Sequence, residues 1–382
     1  MSSPTLLDLR RYAIERSLFR PTTLGRAIAR LGFVQADPIR APARAQDLTL
    51  RHRVNNYRAG DLEKHYPKLP IEEDFFVNYG FLPRATQALM HPRIPSLPLT
   101  ALEKTQAPAL LDFVRDKGAA HPREVDAHFA HGKATNWFGG QSNVTTKLLD
   151  KLHYHGHLRV ARRDAGTRVY AVQGTVSEFG LTHNLNIDPS VDPHAALDRL
   201  IDVIVHKYAP LPAASLGQLV TYLMRGVLQH KPQRNAALQR AKARLAHAEV
   251  DGVDWYWPAN EKLGKTKDAA LTAEVARLLA PFDPIVWDRR RFSLFWGWDY
   301  RFEAYTPAPK RKLGYYALPL LWRGEVIGWG NAAVADAALQ VSIGLVGKHR
   351  VSADLKRALD AEVDSMALFL GAQQASWSLL SR

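Results

Sequence analysis

The stretch from Gly156 to Val172 constrains the fold of this chain more than any other, because it reads as two alternating strands around an Asp164-Ala165-Gly166 turn. Three helical stretches precede it. They are Pro108 to Lys117, a second that begins at His121-Pro122-Arg123-Glu124-Val125, and Gln141 to His155. Three helices followed by a basic hairpin make a winged helix.

The same theme extends to either side. Leu6 to Leu18 and Thr23 to Leu31 carry apolar residues at helical spacing, and a strand-like Phe33 to Ala36 follows, which is a start for a helix-turn-helix unit. Residues 193–257 repeat the pattern less plainly. Pro193 to Tyr208 is helical, a second helix opens at Ser215, Pro232 to Ala248 is a third, and Val253 to Trp257 supplies a strand. Beyond residue 270 the texture turns aromatic and strand-like, with strands expected at Tyr300 to Tyr305, Tyr315 to Trp322, Glu325 to Val334 and Ala338 to Leu345. A helix then spans about Ala353 to Leu370. The expected architecture is α+β: tandem winged-helix domains at 1–100, 101–180 and 190–260, then a small antiparallel β-rich partial barrel at 268–382. Residues 92–108, 173–192 and 258–268 read as linkers. A chain of 382 residues, 46% of them hydrophobic, has enough apolar material for two to four such units.

Charge narrows the partner. Lys plus Arg number 51 against 37 Asp plus Glu, giving a net +14 and a field that attracts polyanions. Nucleic acid leads, with an anionic membrane face as the weaker alternative. In the second unit, Ser142, Asn143, Thr145 and Lys147 lie on a helix of the kind that enters a major groove, and Arg159, Arg162, Arg163 and Arg168 lie on the wing. Arg40, Arg44, Arg51, Arg53 and Arg58 cluster close behind Gln35 and Asp37, and Lys310-Arg311-Lys312 stands between two expected strands. Trp296, Trp298, Tyr315, Tyr316, Trp322 and Trp329 suit base stacking, yet core packing explains most such clusters. With no apolar run long enough to span a bilayer and no charged-then-apolar leader, a cytoplasmic protein is expected. The absence of cysteine removes disulfides, thiolate metal sites and thiol nucleophiles, leaving oxygen and nitrogen groups for chemistry. The alternating His153, His155 and His157 lack a carboxylate or thiol partner at metal spacing, so no metal site is expected.

The candidate for that chemistry is Gln35-Ala36-Asp37, at the end of an apolar run and just after a basic amphipathic helix. On an extended segment the two polar side chains point to the same side. A carboxylate so placed can deprotonate a water or face a developing cation, while the amide orients that water. A bland reading exists too, in which Asp37 caps a neighbouring helix.

The chain resembles the YcaQ/AlkZ-type bacterial DNA glycosylases over nearly its whole length. The resemblance runs through Phe33-Val34-Gln35-Ala36-Asp37, Ala43-Arg44-Ala45 and Asn78-Tyr79-Gly80-Phe81-Leu82-Pro83, and most specifically through the blocks from Ala280 to Arg291 and from Tyr305 to Pro319. That family's signature is glutamine, an aliphatic residue, then glutamine or aspartate, and Gln35-Ala36-Asp37 is similar to the aspartate form of the YcaQ (AlkX) branch. The resemblance implies tandem winged helices with a β-rich C-terminal domain, and removal of alkylated bases, including interstrand crosslinks through guanine N7. Two departures bear on the shape of the lesion pocket: the small Ala36 in the middle of the motif and Pro38 directly after it.

An N7-alkylated purine is cationic and leaves readily, so the protein must stabilise an oxocarbenium-like sugar and deliver water to it. Asp37 is expected to do both, with Gln35 holding the water. No metal or organic cofactor is needed, and no lysine lies within the motif to form a Schiff base, so a monofunctional, monomeric glycosylase acting on alkylated or crosslinked double-stranded DNA is expected. The main rival is a non-catalytic winged-helix transcriptional regulator. A metal-dependent nuclease built on Asp37, Asp47 and Glu72 to Asp74 ranks third.

Overall fold

The computed structural model describes residues 3–129, 133–135, 141–173, 193–263 and 274–380. They fall into two compact units, each assembled from separated stretches of chain. One holds Met1–Leu62, Asp202–Gln218 and Lys242–Arg382, the other Glu63–Ile201 and Leu219–Ala241. Each unit draws residues from more than one of the four consecutive segments expected from sequence.

In the first unit, the helix Leu6–Ser17 starts at a capping box. The Thr5 hydroxyl accepts from the Asp8 amide at 3.2 Å, and the Asp8 carboxylate accepts from the Thr5 amide at 2.9 Å. The next helix, Leu24–Leu31, stops at Gly32, whose φ of +68° turns the chain out of the helix and whose missing Cβ would lie 2.9 Å from a Val203 methyl. The short buried strand Val34–Gln35 follows at once.

Five strands at the other end of the chain form one sheet, in the order Arg277–Leu278, Leu318–Trp322, Glu325–Ala335, Ala338–Leu345, Gln374–Leu379. The first four are antiparallel, but Gln374–Leu379 pairs parallel with Ala338–Leu345. This corrects the purely antiparallel expectation. Two parallel neighbours need a long crossover, and Ala353–Leu370, capped by Ser352 and stopped at Gly371, provides it. The strand expected at Tyr300 to Tyr305 does not form. Instead Tyr300 donates its hydroxyl to the Ala317 carbonyl at 2.6 Å, and the Glu303 carboxylate gathers the amides of Lys312 and Leu313 into a loop. A helix absent from the sequence expectation, Arg289–Trp296, begins where the Asp288 carboxylate accepts the amides of Arg290 and Arg291.

The unit's core explains why its two ends meet. Ile14 of the first helix and Leu18 just after it pack with Leu279, Ile285, Val286, Phe292, Tyr300, Ala317, Leu321 and Val326. Trp296, Trp298 and Trp329 lean on the same cluster, so these indoles serve packing.

The second unit contains the antiparallel pair Ile71–Phe75 and Tyr79–Pro83, the helices Ala101–Asp116, Pro122–Phe129 and Val144–Tyr154, and the hairpin Leu158–Asp164 with Thr167–Val172. The hairpin turns where expected, with positive φ at Ala165 and Gly166. The first of these helices starts seven residues before Pro108, because Thr100 and Glu103 form a capping box that fixes the start at Ala101 and leaves the proline inside. Val144–Tyr154 is shorter than the expected Gln141 to His155, since Gln141–Asn143 pairs as a strand with Lys133–Thr135. Of the expected linkers, residues 92–100 are irregular, 101–108 are helical, and 174–192 and 264–268 lie outside the described residues.

A third run of elements comprises Pro193–Tyr208, Ala213–Gly226, Arg234–Arg244 and the antiparallel strands Ala246–Val250 and Val253–Trp257. The last helix is shorter than the expected Pro232 to Ala248. Pro232 belongs to a 3-10 turn, and Ala246 already pairs as a strand with Trp257. No helix among the described residues is long and apolar enough to cross a membrane.

Candidate active site

The chain leaves Gly32 extended, and that extension sets Gln35 and Asp37 two residues apart on a segment whose backbone is almost fully covered. Gln35 is 5% exposed and Asp37 9%. The Gln35 side-chain carbonyl accepts the indole N–H of Trp287 at 2.8 Å. That bond fixes the amide plane and leaves its NH2 without an acceptor among the described residues. The Asp37 backbone N–H donates to the Gln46 side-chain carbonyl at 3.2 Å, and Oδ1 of Asp37 accepts from the Ile39 amide at 2.8 Å. Oδ2 meets no donor among the described residues. Burial raises the Asp37 pKa above that of an ordinary aspartate, with the Ile39 bond acting in the opposite direction.

Other buried acids of the chain are engaged by cations or donors. Asp283 holds Arg53 through two bonds of 2.8 and 3.0 Å, and Glu362 pairs with Arg51 and accepts the Leu278 amide. Glu72 meets Arg84 and Arg159, Glu73 meets Arg163, and Asp74 meets Arg93 and His91. Asp47 accepts the Tyr57 hydroxyl at 2.7 Å. Asp37, like Asp47 and Asp288, has no ion pair and one oxygen without a donor among the described residues, and of the three it alone stands two residues from a buried glutamine on the motif segment. Its field reaches two phenols, and burial followed by the Asp37 charge raises the pKa of both Tyr305 and Tyr316. Tyr305 is exposed, whereas Tyr316 is buried with a hydroxyl that finds no partner among the described residues.

Several expected DNA contacts are corrected. Arg53 is fully buried in its pair with Asp283, and Arg51 is closed off against Glu362, so neither guanidinium reaches a phosphate. Thr145 is buried and donates its hydroxyl to Asp126 at 2.8 Å. On the hairpin, Arg159 and Arg163 turn inward to Glu72 and Glu73, while Arg162 and Arg168 bond to Asp164 and Asp150. Arg44 and Lys147 are half-buried and engaged. Arg40, Lys310 and Lys312 are exposed, and Arg311 stacks over Tyr315. Ser142 and Asn143 lie on a short strand, and their side chains are outside the described residues. His153 and His155 bond to the carbonyls of Glu73 and Leu97. Among the described residues no three His, Cys, Asp or Glu side chains converge as metal ligands, and Asp47 and Glu72 to Asp74 are taken up as above.

Sequence reasoning missed Trp287, Gln46, Tyr305 and Tyr316 as neighbours of the motif. A signal for three of them was present, because Trp287 falls in the block from Ala280 to Arg291 and both tyrosines fall in the block from Tyr305 to Pro319.

A base-excising enzyme class suits this arrangement of a carboxylate without an ion pair beside an oriented amide. The chain belongs to the family described as DNA glycosylase AlkZ-like, whose sequence model matches residues 28–369. Its fold is similar to that of Streptomyces sahachiroi DNA glycosylase AlkZ, with a TM-score of 0.62 at 15% identity over 99% of this chain and 100% of that one.

Proposed function

We propose that this protein hydrolyses the N-glycosidic bond of N7-alkylated guanine in double-stranded DNA, unhooking interstrand crosslinks as well as monoadducts and leaving an abasic site. The observation that carries this reading is Oδ2 of Asp37, a nearly buried carboxylate oxygen with neither a cation nor a donor. In the proposed reaction, Oδ2 accepts a proton from water as the cationic base departs, and its charge faces the oxocarbenium-like sugar. Gln35, its carbonyl held by Trp287, donates from its NH2 to the water oxygen and so fixes the attacking lone pair. The raised pKa makes Asp37 a better base than a free aspartate.

The reading is monofunctional. A Schiff-base mechanism needs a neutral and reachable amine. Lys207, behind the motif strand, has its pKa held down to about 7 by burial and by Arg53, but its ammonium is buried and donates to the Phe33 carbonyl. The runs of three helices and a hairpin are read as winged-helix modules at 1–100, 101–180 and 190–260, with the β-rich segment 268–382 completing the site through Trp287. Arg40, Lys310, Lys312, Ser142 and Asn143 remain the proposed DNA contacts of those modules. A monomer working in the cytoplasm on nucleoid DNA fits this reading.

The test is incubation of purified protein with N7-alkylguanine DNA in EDTA, scored for free base and abasic sites. Base release that drops by about 10²- to 10⁴-fold in Asp37→Asn is expected. Sequence-specific binding without release would instead indicate a regulator, and EDTA-sensitive strand cleavage a nuclease.

A further inference from the structure

A cavity of about 700 Å³ opens in the unit that carries Asp37, with Arg289, Arg290, Arg301, Asp299, Tyr300 and Phe302 in its wall. Three guanidiniums share one hollow, and none of them meets a carboxylate among the described residues. Arg290 and Arg301 are exposed. Arg289 lies over the Tyr300 ring, 4.4 Å from its centroid, and donates to the carbonyls of Val286 at 2.5 Å and Pro281 at 3.1 Å. Both are neutral acceptors, so the cation is held in place without an ion pair among the described residues. Two acids stand nearby. Asp299 lines the wall without pairing to any of the three arginines, and Asp288 spends Oδ1 on the amides of Arg290 and Arg291, its charge acting on Arg289 without an ion pair. This is the reverse of the hairpin, where each arginine has a carboxylate.

The cavity also has a defined neighbour. Phe302 in its wall packs edge-on against Tyr316 at 5.2 Å, and Tyr316 lies in the field of Asp37. The hollow and Asp37 thus share Tyr316 as a neighbour, one through ring contact and the other through its charge.

We propose that this cavity is a phosphodiester-binding subsite that grips the DNA strand beside the nucleotide presented to Asp37. The inference rests on the glycosylase reading above for the identity of the polyanion. The chemistry is that of charge-assisted hydrogen bonds from guanidinium donors to a phosphate monoanion, with Arg289 preset by its two carbonyls and the Tyr300 face, and Arg290 and Arg301 closing from the rim. Burial lowers the Arg289 pKa more than the nearby Asp288 charge raises it, and a bound anion adds counter-charge.

The test replaces the two rim arginines, Arg290→Gln with Arg301→Gln, since neither side chain bonds to the rest of the fold. The control is Arg323→Gln with Arg357→Gln, which removes the same charge from side chains that face Asp354 at 3.1 and 2.5 Å. Binding to an unmodified labelled duplex is measured across a salt series, with thermal melting to verify folding. The rim variant should bind roughly ten-fold more weakly near 0.1 M salt, with a log–log salt slope shallower by about one to two, because each phosphate contact contributes about 0.9. The control should change less in both. Equal slopes in rim variant and wild type overturn the proposal. If inorganic phosphate raises the melting temperature of the wild type but not of the rim variant while the slopes agree, the cavity holds free phosphate and the strand assignment is overturned. Because the probe carries no lesion, a wild type that binds it normally yet releases no base from N7-alkylguanine DNA would count against the glycosylase reading alone.

Discussion

At the residue scale, Asp37 carries a conflict between stability and chemistry. Its folded pKa is raised, so the folded protein holds this proton more tightly than the unfolded chain does. Stability therefore falls as pH rises from the ordinary aspartate range through the folded pKa, and at neutral pH the bare carboxylate is a cost to the fold. Two outcomes follow. The acid limb of the excision rate should lie above the ordinary value of 3.8, as seen in a pH profile of single-turnover base release. Asp37→Asn, inactive, should melt at the same or a higher temperature than the parent at pH 7, because an amide oxygen can still accept from Ile39 without a buried charge. Arginines were the residues least legible in sequence. Nothing local to Arg53 announces that Asp283, 230 positions away, will take two of its three guanidinium nitrogens.

At the element scale, legibility followed the range of the determining interactions. The hairpin turn at Ala165 and Gly166, the strand Ala338–Leu345 and the helix Ala353–Leu370 lie where periodicity and turn residues placed them, since local chemistry decides each. The helix Arg289–Trp296 and the strand Gln374–Leu379 escaped. One depends on a single capping carboxylate amid aromatic residues, the other on finding a parallel partner across an 18-residue helix. The motif pair was legible because its spacing alone sets its facing, whereas its partners Trp287 and Tyr316 come from loops with no period. In the β-rich sheet the close approach of strands has a sharp test. A Cβ on Gly328 would sit 2.0 Å from the Gly344 carbonyl oxygen, a backbone atom that cannot swing away. Gly328→Ala should lower stability by about 1–3 kcal/mol, read as a shift in urea midpoint with an unchanged slope.

At the scale of the whole molecule, the excess of basic residues is distributed unequally between interior and surface. Three consecutive acids on one strand, Glu72, Glu73 and Asp74, are buried and consume arginines from the hairpin and beyond, so the outward field depends on cations such as Arg40, Arg290, Arg301, Lys310 and Lys312. Burial alone would raise the Asp74 pKa, but Arg93 and the His91 bond outweigh it and hold it far below the usual range. The stability from Asp74 is then complete above its unfolded value of 3.8 and disappears only as pH falls toward the depressed folded value. Asp74→Asn should cost about 3–5 kcal/mol at pH 7, and the gap between variant and parent urea midpoints should narrow in acid. The indole of Trp287 has a different consequence. Because the glutamine near the amino end is steadied from a position 252 residues later, a proteolytic fragment or shortened paralogue that keeps the Gln-Ala-Asp triplet but loses the carboxyl-terminal third would retain the letters of the motif with a freely rotating amide. Possession of that triplet in a short open reading frame is therefore poor grounds for assigning it this chemistry.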